Sequence, residues 1–101
     1  MKVKISGIPD EYAKYILDLF RSLPQGAEII LFGSRAKGNA REGSDIDIAI
    51  KGKFITLEDR NTLLLKYDDL ELPWKLDIVI YHLIKEPALK DHIDRAGIRI
   101  L

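Results

Sequence analysis

The stretch Phe32-Gly33-Ser34-Arg35-Ala36-Lys37-Gly38-Asn39-Ala40-Arg41-Glu42-Gly43-Ser44-Asp45-Ile46-Asp47-Ile48 decides how this chain folds. It begins where an apolar run of strand type, Ala27 to Phe32, is stopped by Gly33-Ser34. Ser34 to Lys37 reads as a helical turn, and Gly38 to Ser44 as a loop rich in Gly, Asn and Ser. Ile46, Ile48 and Ile50 then alternate with Asp45, Asp47 and Ala49, the period of a half-buried strand. Residues two apart on a strand point to one face. The three isoleucines therefore face a core, and Asp45 and Asp47 stand side by side on the other surface.

Outward from this stretch, the pattern repeats. Leu76, Ile78 and Ile80 alternate with Asp77, Val79 and Tyr81, which predicts a third strand with Asp77 on its polar side. Pro9-Asp10-Glu11 opens a helix, with Asp10 as the expected cap. Ala13, Ile16, Leu17, Phe20 and Leu23 recur at helical spacing before Pro24-Gln25-Gly26 stops it. A second long helix runs from Thr56 or Leu57 to about Leu70, with Leu63, Leu64 and Tyr67 on its apolar side, and Pro73 closes that segment. Pro87 to Arg95 reads as a short helix turned inward on Leu89, His92, Ile93 and Ala96, and Ile98 to Leu101 as a last strand. The expectation is one α/β (α+β) domain over 1–101: a short mixed sheet, helices packed mainly on one face, and the carboxylates on the other.

Composition narrows the function classes. Apolar residues make up 47% and charged residues 32%, the balance of an ordinary globular domain. Sixteen basic and sixteen acidic residues cancel, so general nucleic-acid binding is not expected. The absence of cysteine excludes disulfides, thiolate zinc sites and a cysteine nucleophile. No secretory apolar segment opens the chain, and the densest apolar runs, Ile29 to Phe32 and Ile78 to Tyr81, are too short to span a bilayer. A cytoplasmic protein without a membrane partner is the expectation.

The chemistry lies in the carboxylates. Two adjacent carboxylates raise each other's pKa unless something positive lies between them. Divalent magnesium takes oxygen ligands and shares them with substrate phosphates. If the strand of Asp77 neighbours that of Asp45 and Asp47, three carboxylates share one surface. They can then hold two metal ions roughly 3.5–4 Å apart, as in two-metal phosphoryl-transfer sites. Gly33 permits a sharp turn and close approach of the backbone to a ligand. Ser34 can cap the turn after it, whose free N–H groups suit an anion. Arg35, Lys37 and Arg41 are close enough in sequence to add positive charge, Arg35 foremost because it follows Ser34. Taken singly, each feature also reads as a strand-ending turn, a loop end or a solvated position. It is their joint placement that points to a nucleotide site. His82 and His92 lack partners in a recognisable arrangement, and Trp74 reads as a packing residue before a base-stacking one.

Gly33-Ser34, ten residues, and then Asp45-Ile46-Asp47 resemble the signature of the DNA polymerase beta-like nucleotidyltransferase superfamily. The fuller stretch from Phe32 to Ile48 looks like its minimal, stand-alone branch, the MntA-type proteins, and Leu76-Asp77-Ile78-Val79 looks like that family's third-carboxylate strand. The tail from Glu86-Pro87-Ala88-Leu89 to Gly97-Ile98-Arg99-Ile100-Leu101 is similar as well. Four fixed residues at this spacing arise by chance in roughly one chain in a thousand of this length. The resemblance implies the nucleotidyltransferase fold, with ATP as substrate and two Mg2+ ions as cofactors. It implies that Ser34 contacts the terminal phosphates, within a nucleotide-binding set of Gly33, Ser34 and Arg35. It also implies that Asp45 and Asp47 bind both metals and Asp77 the catalytic one. Members usually pair with a HEPN-type helical ribonuclease toxin, forming a hetero-oligomer in which the nucleotidyltransferase is the antitoxin and passes AMP to a tyrosine of its partner.

Many nucleotidyltransferases carry an extra helical domain that holds the acceptor. Only about 20 residues follow the third carboxylate strand here, so the acceptor is expected to arrive at an open face on another polypeptide. Two other functions stand beside protein nucleotidylation. One is a non-catalytic module that neutralises a helical partner by contact. The other is transfer to a small molecule or an RNA end, with a second subunit completing the site.

Overall fold

A computed structural model describes residues 5–101. Its elements follow the expected alternation: α1 (Asp10–Phe20), β1 (Glu28–Phe32), α2 (Ser34–Lys37), β2 (Ile46–Lys51), α3 (Leu57–Asp68), β3 (Leu76–Ile80), a 3-10 turn at Tyr81–Leu83, α4 (Pro87–Ala96) and β4 (Ile98–Arg99). None of these helices is long and apolar enough to cross a membrane.

The four strands form one sheet in the order β3-β2-β1-β4. β2 runs antiparallel to β1, with Phe32 opposite Asp47. It runs parallel to β3, with Asp47 opposite Asp77. A parallel pair needs a long crossover, and α3 supplies it. β4 pairs antiparallel with the outer side of β1, Arg99 opposite Ile30.

Alternation decides which face each side chain takes. Ile29, Leu31, Ile46, Ile48, Ile50 and Ile78 are all buried on one face, where α1 and α3 bring in Ile16, Phe20, Leu63 and Tyr67. Burial of each such side chain contributes about 1.5–3 kcal/mol, most of it offset by ordering the chain. On the other face, α4 lays Ile93 over Ile30, Phe32 and Ala49 in a second, smaller core. The two long helices thus share one face as expected, while α4 sits on the face that carries the carboxylates.

Local capping follows the sequence in one helix and departs from it in another. Thr56 and Asp59 close a capping box at α3: Asp59 N–H donates to Thr56 Oγ1 at 3.1 Å, and Thr56 N–H donates to Asp59 Oδ2 at 2.9 Å. Asp10 does not cap α1. Pro9 holds the cap position, without a side-chain bond, and Asp10 is the first helical residue. Its carboxylate still suits the helix dipole, and the fixed φ of proline suits a helix start.

Trp74 belongs to the packing. Its ring lies 5.7 Å from that of Tyr12, and the Tyr67 hydroxyl donates to its carbonyl oxygen at 2.6 Å. Tyr67 is buried, so Tyr67→Phe orphans the Trp74 carbonyl at the entry to β3. The expected loss is about 1–2 kcal/mol, read as a lower urea midpoint at unchanged m-value.

Candidate active site

The site lies at the end of the sheet where β1 finishes and β2 and β3 begin. Asp47 is the second residue of β2 and sits between Phe32 on one neighbour and Asp77 on the other. Asp45 precedes the strand and is exposed, whereas Asp47 and Asp77 are half-buried. The parallel register therefore sets Asp77 beside Asp47, while Asp45, expected on the strand, stands one residue before β2 begins at Ile46. The cost is electrostatic. Burial first, and then the charges of Asp77 and Asp45, push the Asp47 carboxyl above the ordinary carboxylate range.

Gly33 joins the same cluster from β1. Its backbone has φ 77° and ψ −157°, a region open essentially to glycine alone. A Cβ at this position would collide with Asp47 Oδ2. The turn and the carboxylate are thus in direct contact, and the cradle between them exists because residue 33 has no side chain. Gly33 also holds the cap position of α2, which makes Ser34 the first helical residue and not the cap. The first N–H groups of a helix have no intrahelical acceptor, and here they belong to Ser34 and Arg35.

The basic residues separate. Lys37 and Arg41 are exposed, but Arg35 is buried at 3% exposure. Its guanidinium donates to the carbonyl oxygens of Ser6 and Ser44. Arg35 is therefore turned under the loop, with its guanidinium engaged by backbone oxygens. Adjacency to Ser34 in sequence does not keep its side chain at the surface. His92 packs edge-on against Phe32, ring centroids 6.3 Å apart, as expected of a helix-face residue. His82 is exposed at the other end of the sheet.

A hollow of about 300 Å³ adjoins Asp77, lined by Arg60, Val79, Leu83, Lys85 and Leu89 among others. Sequence reasoning does not mark this group, because its members come from α3, β3, the following turn and α4 and share no spacing. Arg60 has a visible structural role, since its Nε donates to the Ile78 carbonyl at 2.6 Å and so occupies part of the exposed β3 edge. A larger hollow of about 540 Å³ opens at the opposite end of the sheet, between Pro24, Lys51, Phe54 and His82. It lies away from the carboxylates and takes no part in the site.

Among the described residues, no three His, Cys, Asp or Glu side chains converge into a metal cage of their own. The donor set nevertheless fits a divalent cation: hard oxygen ligands, one carboxyl strained by its neighbours, and a glycine-lined space for phosphate oxygens to complete the coordination.

A four-stranded mixed sheet with a glycine-serine turn against paired strand carboxylates defines the class: a nucleotidyltransferase domain. The family model described as polymerase beta, nucleotidyltransferase, matches residues 14–101, and the chain belongs to that family. Among solved structures, a chain described as a minimal nucleotidyltransferase is 32% identical, with 87% of this chain and 88% of that one covered and a TM-score of 0.65. A chain of a toxin-antitoxin structure with AMP-PNP is 26% identical, covering 87% of this chain and 71% of that one, with a TM-score of 0.72. A chain from Sulfolobus solfataricus, described as a nucleotidyltransferase, is 27% identical over 88% of this chain and 76% of its own, with a TM-score of 0.53. No curated protein matches the chain.

Proposed function

We propose that this nucleotidyltransferase moves AMP from ATP to a hydroxyl of a helical partner protein of HEPN type, and that it acts as the antitoxin of that pair. The observation that carries the reading is Asp47: its carboxylate touches the Gly33 turn, stands opposite Asp77, and carries a raised pKa that a bound cation relieves. The likeness to a toxin-antitoxin structure with AMP-PNP supports the nucleotide and the kind of partner.

The chain's residues divide the work. Gly33 and Ser34 receive the β- and γ-phosphates, the glycine by close backbone approach and the serine by its hydroxyl and amide. Asp45, Asp47 and Asp77 would hold two magnesium ions, Asp45 and Asp47 shared by both and Asp77 on the acceptor side. Bound there, the ions would supply activation of the acceptor hydroxyl and neutralisation of the leaving group. The acceptor oxygen attacks the α-phosphorus, the bond from that phosphorus to the bridging oxygen breaks, pyrophosphate leaves, and the hydroxyl proton passes to water. Positioning and charge do the rest, as in phosphoryl transfer generally.

Incubation with magnesium, ATP labelled at the α-phosphate and the partner protein tests the reading. The expected result is label on the partner with the wild-type chain and none with the Asp45→Asn, Asp47→Asn variant. Absence of label, with a tight complex that the variant also forms, overturns transfer in favour of neutralisation by contact. Label on an RNA end or a small molecule in its place overturns the protein acceptor.

A further inference from the structure

The buried guanidinium of Arg35 has an unusual set of partners. Nε and Nη2 donate to the Ser44 carbonyl at 3.1 and 2.7 Å, and Nη1 donates to the Ser6 carbonyl at 2.6 Å. A buried cation is costly unless its hydrogen bonds are made. Here two backbone oxygens from segments far apart in sequence meet that need. The fork of a guanidinium suits this geometry, since one planar group grips one oxygen twice and reaches a second.

The Ser44 carbonyl belongs to the peptide that enters Asp45. On the other side of Asp45, Ile46 N–H donates to the Lys75 carbonyl at 2.8 Å. Asp45 lies outside the regular part of β2 and is exposed, so no sheet pairing of its own and no packing fixes it. Its backbone is bracketed by two anchored peptides, one held by Arg35 and one by the residue leading into β3. Ser44 adds only a local turn, its N–H donating to the Arg41 carbonyl at 3.0 Å and its hydroxyl accepting from Arg41 N–H at 2.9 Å.

We infer that Arg35 is a positioning residue for Asp45: it locks the Ser44–Asp45 peptide to the N-terminal segment at Ser6, so that the Asp45 carboxylate is aimed before any cation arrives. This rests on the proposed role of Asp45 as a metal ligand. A residue acting at this remove changes metal affinity by about 10–100-fold when lost, because the ligand must then be ordered on binding.

The test is Mn2+ affinity in the presence of ATP, followed by the paramagnetic resonance signal of free Mn2+, in wild type and Arg35→Lys. An ammonium is a point charge without the planar fork that grips the Ser44 carbonyl twice while reaching that of Ser6. The dissociation constant for Mn2+ is expected to rise about tenfold in the folded variant. A guanidinium that serves only stability would lower the melting temperature and leave that constant where it was, and this result overturns the inference. If Arg35→Lys does not fold, Gly7→Ala decides by the same criterion. A Cβ at Gly7 meets Arg35 Nη1 at 2.8 Å, and the φ of +80° there also strains the backbone beside Ser6, so this variant loosens the Arg35–Ser6 anchor while every atom of the loop and β2 is kept. Label transfer by wild type with unchanged Mn2+ affinity in the variant overturns the positioning role alone. A weakened Mn2+ affinity in the variant without transfer by wild type upholds it and overturns the transfer reading alone.

Discussion

The Asp45→Asn, Asp47→Asn variant is expected to lose transfer by on the order of 10³-fold or more, while Asp47→Asn alone makes the cation-free protein more stable. The kinetic loss follows from removing carboxylates whose bound cations are worth several kcal/mol in the transition state. The gain in stability follows from the direction of the Asp47 shift. Its folded-state pKa is raised by burial and by Asp77 and Asp45, so the folded chain disfavours the ionised carboxylate more than the unfolded chain does. Between the ordinary value and the raised one, the folded state binds more protons, and stability falls as pH rises through that window. The penalty is present above that window and is relieved on acidification through it. Asp47→Asn should therefore raise the melting temperature at pH 7 by about 2–5 °C, a modest figure because the group is partly solvated. The difference from wild type should shrink as pH falls. Magnesium with ATP should shrink it too, by stabilising wild type only. Thermal melts at pH 7 and pH 4, with and without Mg2+ and ATP, give all four values. A wild-type protein that is the more stable of the two without cation at pH 7 contradicts the account of Asp47.

Gly33→Ala should damage both stability and activity. The alanine would need a backbone conformation that only glycine adopts freely, at a cost of about 1–3 kcal/mol, or roughly 5–15 °C in melting temperature for a domain of this size. Its methyl group would also collide with Asp47 Oδ2, moving the carboxylate or the turn. A displacement of about 1 Å at a reacting centre costs on the order of 10²-fold in rate. Gly26→Ala separates the two effects. Gly26 also has positive φ, 94°, but a Cβ there meets nothing within 4 Å. That variant should lose stability and keep transfer. Equal rates for folded Gly33→Ala and Gly26→Ala would remove Gly33 from the site.

The contrast between Gly33 and Arg35 shows what kinds of information a sequence holds. Gly33 is legible because a turn at the end of a strand is a local event, and the residue that must approach a ligand closely is the one without a side chain. The inward turn of Arg35 is not legible. Its acceptors are the carbonyls of Ser6 and Ser44, 29 and 9 residues away, and backbone oxygens are the same in every sequence. Only the fold says that these two come together beneath α2. The lining of the hollow beside Asp77 is hidden for the same reason, since Arg60, Lys85 and Leu89 meet there from different elements. At the start of α1 the sequence misleads by a single position. Proline and aspartate both favour a helix start, and the backbone gives the cap position to Pro9 in place of Asp10.

The sequence by itself determined the element order, the inward set Ile46, Ile48 and Ile50, and the place of Asp47 on the opposite face. Alternation and helical spacing act between residues two to four apart, and no distant contact is needed to read them. The tertiary structure alone decided that β3 lies parallel to β2 in the register that sets Asp77 opposite Asp47. It alone placed α4 on the carboxylate face and turned Arg35 inward. Register and packing are chosen by the whole core at once: a slip of one residue between β2 and β3 would move Asp77 off the Asp47 face and turn Leu76 and Ile78 out of the core.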